Sequence, residues 1–345
     1  METLLTQMSE KKGLVGLTNI GNTCYGNATL QAVRHQVDLT LYLLQDKHLE
    51  ILNRKQSNEK TRMLEKYSDL LKKMWTGEGK QENTREFWGY MVPAAIVAGV
   101  DHFRMPVAHD AHEFLVFLLD QFHEALAESV HMVIKVESDK QMIKDALNFW
   151  KKSFEKNYSP LVELVFTLNQ KCIECNDCKK ESLSWETLNM MKVSVPKQDE
   201  PIDLLDAMKK EMKEEIEDYT CEGCKKKGTV SVNHKIWRLG NWVIVVLKRN
   251  ENSGRRINTK VEIPLTVNFS SLFHPESEEP SQQGSYELFA TIHHHGSARG
   301  GHYTAHAKHP VSLEWCRYDD EVAIPVEKPQ LDESTYIVMY RLATK

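Results

Sequence analysis

Gly16-Leu17-Thr18-Asn19-Ile20-Gly21-Asn22-Thr23-Cys24-Tyr25 is a turn-rich stretch that runs into a helical pattern, with Ala28, Leu30, Ala32 and Val33 as the apolar positions of Tyr25–Gln36. Asn22 or Thr23 is the natural N-cap. The Cys24 thiol then lies beside unpaired N–H groups at the positive end of a helix dipole, which favours thiolate, the form that attacks carbonyls. Position alone does not make a nucleophile, because a lone cysteine is most often a small core residue. Asn19, across a glycine-containing turn, carries a side-chain amide able to point back to an oxyanion forming beside Cys24. The same residue can equally serve only the turn.

A thiol nucleophile needs a general base, and the chain has 15 histidines to offer. Gly300-Gly301-His302-Tyr303 puts an uncluttered backbone just before an imidazole at the start of an expected strand, where substrate can approach closely. His293-His294-His295 is the competitor, but a run along a strand points its rings to alternating faces, so at most two share a site. Trp315-Cys316-Arg317-Tyr318-Asp319-Asp320 follows on the next expected strand, where a carboxylate can orient the base. In isolation, such an Asp pair is an ordinary strand-end turn.

Cys175-x-x-Cys178 and Cys221-x-x-Cys224 are two knuckles whose four thiolates satisfy one tetrahedral Zn²⁺. Cys172 has the same spacing to Cys175 and is assigned as a spare thiol. Seven cysteines, five of them in such spacings, argue for reduced thiols and for a cytosolic or nuclear home.

Around these motifs the pattern falls into three parts. From about Asn22 to Val130 it is helical, with Met63, Leu64, Tyr67, Leu70, Leu71 and Met74 on one face and Phe114, Leu115, Leu118, Phe122 and Leu126 on another. Between Leu161 and Leu239 short β-like runs (Val162–Leu168, Leu188–Val195, Thr229–Leu239) surround the cysteine pairs, interrupted by one helix with Leu204, Met208, Met212 and Ile216 on a common stripe. From Trp242 onward the runs Trp242–Leu247, Tyr286–His293, Tyr303–Lys308 and Tyr336–Arg341 read as an antiparallel sheet, with Asn250–Thr259 and Pro275–Ser285 as surface loops.

The 345 residues suffice for a sizeable core, and 41% apolar with 27% charged residues is the ordinary balance of a globular chain. A formal charge of −5 gives no electrostatic footprint for nucleic acid. The apolar runs fall short of the roughly 18 residues that cross a bilayer, and the N-terminus lacks a secretory pattern. No membrane or nucleic-acid partner is expected.

Taken together, Gly16–Tyr25, His109-Asp110-Ala111-His112-Glu113-Phe114-Leu115, Val246-Leu247-Lys248-Arg249, Gly300-Gly301-His302-Tyr303-Thr304-Ala305 and Trp315–Asp320 resemble the ubiquitin-specific proteases. The blocks occur in that family's order from near residue 13 to near 341. The resemblance implies an α+β, papain-like cysteine protease: one catalytic domain with a helical thumb (about 13–160), zinc-bearing β fingers (161–240) and an antiparallel β palm (241–345). It implies Cys24 as nucleophile, His302 as base, Asp319 as the residue orienting it, Asn19 as oxyanion donor and Asp320 as a supporting polar residue. Asp110, Glu113 and Tyr303 would grip the C-terminal tail of ubiquitin, although the two acids alone read as helix-start residues favoured by the dipole.

The expected reaction is hydrolysis of the bond after ubiquitin's last glycine through a Cys24 thioester, on ubiquitinated proteins, with zinc structural and no cofactor in the chemistry. Whether an activating partner protein is required stays open. Two alternatives stand beside it: a catalytically weak ubiquitin-binding scaffold of the same fold, and a protease for another ubiquitin-like modifier. Gly26 stands where relatives usually carry a bulky apolar residue, Ala28 where Ser is usual, His109 and His112 where Gln is common, and Asn250 where Phe is common.

Overall fold

The computed structural model describes residues 13–105, 107–134, 140–250, 255–297 and 300–343. Part of the expected loop Asn250–Thr259 lies outside the described residues.

The helical lobe forms because its apolar stripes find each other. Helix Glu59–Thr76 starts at a capping box between Asn58 and Thr61 and buries the stripe Met63, Leu64, Tyr67, Leu70, Leu71 and Met74. It packs against helices Arg85–Val97 and Ala111–Leu126, the latter capped by the Asp110 carboxylate and burying Phe114, Leu115, Leu118, Phe122 and Leu126. Helix Cys24–Val33 is different, since each of its residues is buried. One side faces this lobe and another lies on strand Gly300–Lys308, where fully buried Ala305 and Ala307 allow close approach. The helix that carries Cys24 is thus the wedge between two layers.

The second layer is an eight-stranded sheet. Its order is Val322–Val326, Trp315–Asp319, Gly300–Lys308, Ser285–Ser297, Thr335–Leu342, Trp242–Lys248 and Met191–Ser194, with Thr266–Asn268 attached to Ser285–Ser297. All pairings are antiparallel except Met191–Ser194 on Trp242–Lys248. That short strand comes from inside 161–240, so the segment expected to be fingers also supplies the palm's edge. A separate four-stranded sheet, in the order Glu181–Leu188, Thr167–Cys175, Lys227–Arg238, Lys213–Thr220, carries both cysteine pairs at its far end. Helix Gln141–Phe154, which the sequence reading did not single out, backs this sheet by setting Trp150 and Phe154 into one cluster with Leu168 and Trp237.

Two local expectations fail for identifiable reasons. The stripe Leu204, Met208, Met212, Ile216 is not one helix: the helix ends at Glu211, and Ile216 lies in strand Lys213–Thr220, recruited by its ladder with Lys227–Arg238. Tertiary pairing overrides local spacing there. The run Val162–Leu168 opens as a helical turn, Leu161–Val165, because Pro160 precedes it and the Ser159 hydroxyl accepts the Leu161 N–H; the strand starts at Thr167. Among the described residues no helix is long and apolar enough to cross a membrane.

Candidate active site and metal centre

Cys24 is the first residue of its helix and only 4% exposed. The expected cap is modified in detail. Thr23 occupies the N-cap position without bonding the helix N–H groups; its hydroxyl accepts from Ile20 N–H and donates to Asn19 Oδ1. Burial pushes the Cys24 thiol up, and the charge of Asp320 adds to that rise. The N–H groups of Tyr303, Tyr25 and Cys24 itself oppose both. The helix-start donors expected from the sequence are therefore present, but desolvation outweighs them, and the sulfur holds its proton more tightly than a free thiol.

The Tyr303 N–H bond to Sγ seats Cys24 on strand Gly300–Lys308, next to His302. The His302 ring bonds through Nε2 to Asp319 Oδ1 at 2.6 Å. That leaves Nδ1 as the nitrogen available for proton transfer. No hydrogen bond between Sγ and the ring exists among the described residues, as is common where catalytic contacts tighten only around substrate. His302, Asp319 and Asp320 have their ligand-type atoms within 4.8 Å of one another.

Asp320 follows the strand end in the left-handed region, at φ 45°. Its Oδ2 accepts from Asn19 Nδ2 and its Oδ1 from Asn27 Nδ2, both at 2.8 Å. Asn19 Oδ1 accepts from Gly21 N–H, Thr23 N–H and the Thr23 hydroxyl. The amide therefore has one orientation, with one Nδ2 hydrogen on Asp320 and the second left for an oxyanion. The Asp320 carbonyl accepts Leu17 N–H at 2.7 Å, while a Cβ on Gly16 would sit 2.0 Å from the Glu321 carbonyl oxygen. Only glycine at 16 lets the segment ahead of Cys24 lie against this turn.

The expected tail-binding residues do not all share one place. Asp110 and Tyr303 line a cleft of about 130 Å³ with His109, Asn250, His294 and Gly301. Asp110 caps its helix through His112 N–H at 2.7 Å, and the Tyr336 hydroxyl donates to its carboxylate at 2.9 Å. Glu113 instead lines a neighbouring cavity of about 510 Å³, where it stands 3.6 Å from His102 Nε2. The His293–His295 run splits as strand geometry requires. Buried His293 sits 4.8 Å from His306, ring centre to ring centre, while His294 stacks on Tyr303 at 4.4 Å.

Cys175, Cys178, Cys221 and Cys224 bring their sulfurs within 4.8 Å of one another, with Cys175–Cys224 at 4.0 Å and Cys178–Cys221 at 3.7 Å. Four ligands at about 2.3 Å around a tetrahedral ion stand about 3.8 Å apart, so this donor set fits zinc. The N–H groups of Cys224 and Gly223 pull the Cys221 thiol down, while hydrogen bonds with Cys175, Cys221 and Cys224 push the Cys178 thiol up, so the four sulfurs share their protons as one group. Cys172 lies on strand Thr167–Cys175 outside the group.

The family model for ubiquitin carboxyl-terminal hydrolase matches residues 15–340, which includes both the Cys24 turn and the Asp319-Asp320 turn. The chain belongs to the ubiquitin carboxyl-terminal hydrolase family. Among curated relatives, Ubiquitin carboxyl-terminal hydrolase 2 of Bos taurus is 27% identical over 348 residues, covering 96% of this chain and 56% of that protein. Ubiquitin carboxyl-terminal hydrolase Usp2 of Drosophila melanogaster is 27% identical over 353 residues, covering 98% and 36%. The chain thus spans about half or less of the length of these relatives.

The hydrolase fold itself is seen in the SAGA DUB module of Ubp8, Sgf11, Sus1 and Sgf73 bound to monoubiquitin, with a TM-score of 0.72, 17% identity and coverage of 97% of this chain and 70% of that one. The module bound to ubiquitin aldehyde matches at a TM-score of 0.72 and 17% identity, covering 99% and 73%. Three residues that hold the expected site residues carry no assignment in the sequence reading: Asn27 on Asp320, Tyr336 on Asp110 and Arg317 on Asp319. Of these, only Arg317 carried a readable signal, being two residues from Asp319 on an expected strand and hence on its face.

Proposed function

We propose that this chain is a thiol hydrolase that cleaves the peptide or isopeptide bond after the C-terminal glycine of ubiquitin. The observation that carries this reading is the His302–Asp319 hydrogen bond, 2.6 Å long, on the strand whose Tyr303 N–H holds the Cys24 sulfur. As the carbonyl carbon approaches, His302 Nδ1 takes the thiol proton and Sγ adds to the carbon. The oxyanion is stabilised by the free Nδ2 hydrogen of Asn19 and the Cys24 N–H. Collapse breaks the C–N bond, and the His302 imidazolium protonates the departing amine. A water, deprotonated by the same ring, then hydrolyses the thioester and regenerates the thiol. Asp319 keeps the ring turned with Nδ1 toward the sulfur throughout.

The narrow cleft beside Tyr303 and the two glycines suits a tail ending in small residues, and the Asp110 carboxylate in its wall suits a basic group on that tail, while Glu113 lies in the neighbouring cavity and would meet a basic residue outside the cleft. Zinc in the four-cysteine site would cross-link the fingers and take no part in the chemistry. Reduced thiols throughout suit a cytosolic or nuclear setting. The raised Cys24 thiol leaves room for a partner protein that tightens the site, as the assembled module among the structural neighbours suggests by analogy.

A ubiquitin bearing a C-terminal electrophile should label the wild-type chain at Cys24 and leave Cys24→Ala unlabelled, read by intact mass. Labelling that persists in Cys24→Ala sinks the nucleophile assignment. Preference for the same electrophile on another ubiquitin-like modifier would redirect the substrate.

A further inference from the structure

Along Trp315–Asp319 the side chains alternate. Cys316 and Tyr318 face the core, at 3% and 1% exposure, while Arg317 and Asp319 share the opposite face. Arg317 stands opposite His306 in the ladder with Gly300–Lys308, so its guanidinium lies on the side where His302 meets Asp319. Asp319 ends the strand, and a carboxylate there has a broad terminal torsion with no packing to select one value. Both of its oxygens are nevertheless occupied: Oδ1 accepts from His302 Nε2 at 2.6 Å and Oδ2 from Arg317 Nη2 at 2.5 Å. Fixing both oxygens of a planar group fixes that torsion.

We propose that Arg317 is a positioning residue for the hydrolase: its guanidinium holds the second oxygen of Asp319 so that the first stays on His302. This rests on the catalytic reading of His302 and Asp319 given above. The adjacent acid cannot compete for the role, because Asp320 is held separately by Asn19 and Asn27. Nor is the pair a stability device. Its side chains are 36% and 28% exposed, and ion pairs this open contribute little to folding. A guanidinium suits the task better than an ammonium because it presents donors in a fixed plane.

The test combines kinetics on a fluorogenic ubiquitin C-terminal amide with NMR of ¹⁵N-histidine-labelled protein. Arg317→Gln should lower kcat about tenfold, the value of one hydrogen bond to a charged group. KM should stay within about twofold and the melting temperature unchanged. Arg317→Lys should recover part of the loss. In an Asp319→Ala background Arg317→Gln should cost nothing further, because the oxygen it held is gone.

Independently of turnover, the Nε2–H resonance of His302, assigned by its loss in Asp319→Ala, should broaden or vanish in Arg317→Gln and persist in Arg317→Lys. Full kcat in Arg317→Gln, additive losses in the double variant, a lowered melting temperature that accounts for the loss, or an unchanged His302 resonance would each overturn the proposal. A wild-type chain that turns nothing over refutes the hydrolase reading instead, and the resonance still decides the role of Arg317.

Discussion

Asn19 shows how few donors and acceptors suffice to define one orientation. Three donors converge on Oδ1, and Nδ2 meets the Asp320 carboxylate, so a flipped amide would face donors with donors and an acid with an acceptor. Asn19→Ala should therefore lower kcat about 100-fold with a small change in KM, as for loss of one oxyanion donor. Asn19→Asp should be at least as damaging, since it keeps the acceptor but sets a second carboxylate against Asp320. Wild-type turnover by Asn19→Asp would show that its amide hydrogens do no work. Gly26, a departure from the family pattern, is also settled at this scale. A Cβ there would lie 2.5 Å from the Trp88 ring, so the indole occupies the space that a side chain at 26 would need. Asp110 likewise has a structural task of its own: it caps a helix and accepts from the Tyr336 hydroxyl.

Among elements, the helix Cys24–Val33 is tied to strand Trp315–Asp319 and its turn at both ends. Asn27 reaches Asp320 near one end. Beyond the other, the His35 ring meets the Tyr318 hydroxyl at 3.2 Å, and buried Arg34 lies over the Tyr318 and Trp75 rings. Cys24 and His302 thus ride on elements with little freedom to slide. The fingers sheet has no comparable anchor at its tip. The small cluster there contains Cys175, Cys221, Val230 and Val232, too little apolar surface to hold two knuckles together without a metal. Metal analysis should find about one zinc per chain, and Cys221→Ser with Cys224→Ser should lose it. Hydrogen exchange should then rise in Thr167–Cys175 and Lys213–Thr220 while Ser285–Ser297 and Gly300–Lys308 stay protected. Intact protection in the fingers of the metal-free variant would exclude a structural role.

Across the whole molecule, burial of neutral histidines makes stability depend on pH. Burial pulls His48, His294 and His306 down to about 4 and His35 and His293 well below their ordinary range. Between the unfolded value near 6.5 and the folded values, the unfolded chain binds protons that the folded chain does not. Stability is therefore full above about pH 6.5 and lost as pH falls toward 4, by roughly 1 to 3 kcal/mol each for His48, His294 and His306, with His35 and His293 acting in the same direction. The melting temperature should drop through that window. A flat profile from pH 7 to 4 would mean that these rings are solvated in the folded state.

The helical stripes, the palm strands, the four cysteines and the ordered catalytic blocks were legible in the sequence because each rests on spacing or residue chemistry that acts over a few positions. Spacing misled at Ile216 and at Val162, where partners distant in the chain, or a preceding proline, chose the local structure. The sequence by itself determined the two-knuckle donor set and singled out His302 and Asp319, which the fold brings together. Only the tertiary structure decided that desolvation outweighs the helix dipole at Cys24, that Glu113 stands apart from Asp110, and that Arg317 and Asn27 each hold one of two neighbouring acids. Burial, cavity shape and hydrogen-bond partnership depend on segments up to 305 residues apart in the chain, and no local pattern encodes them.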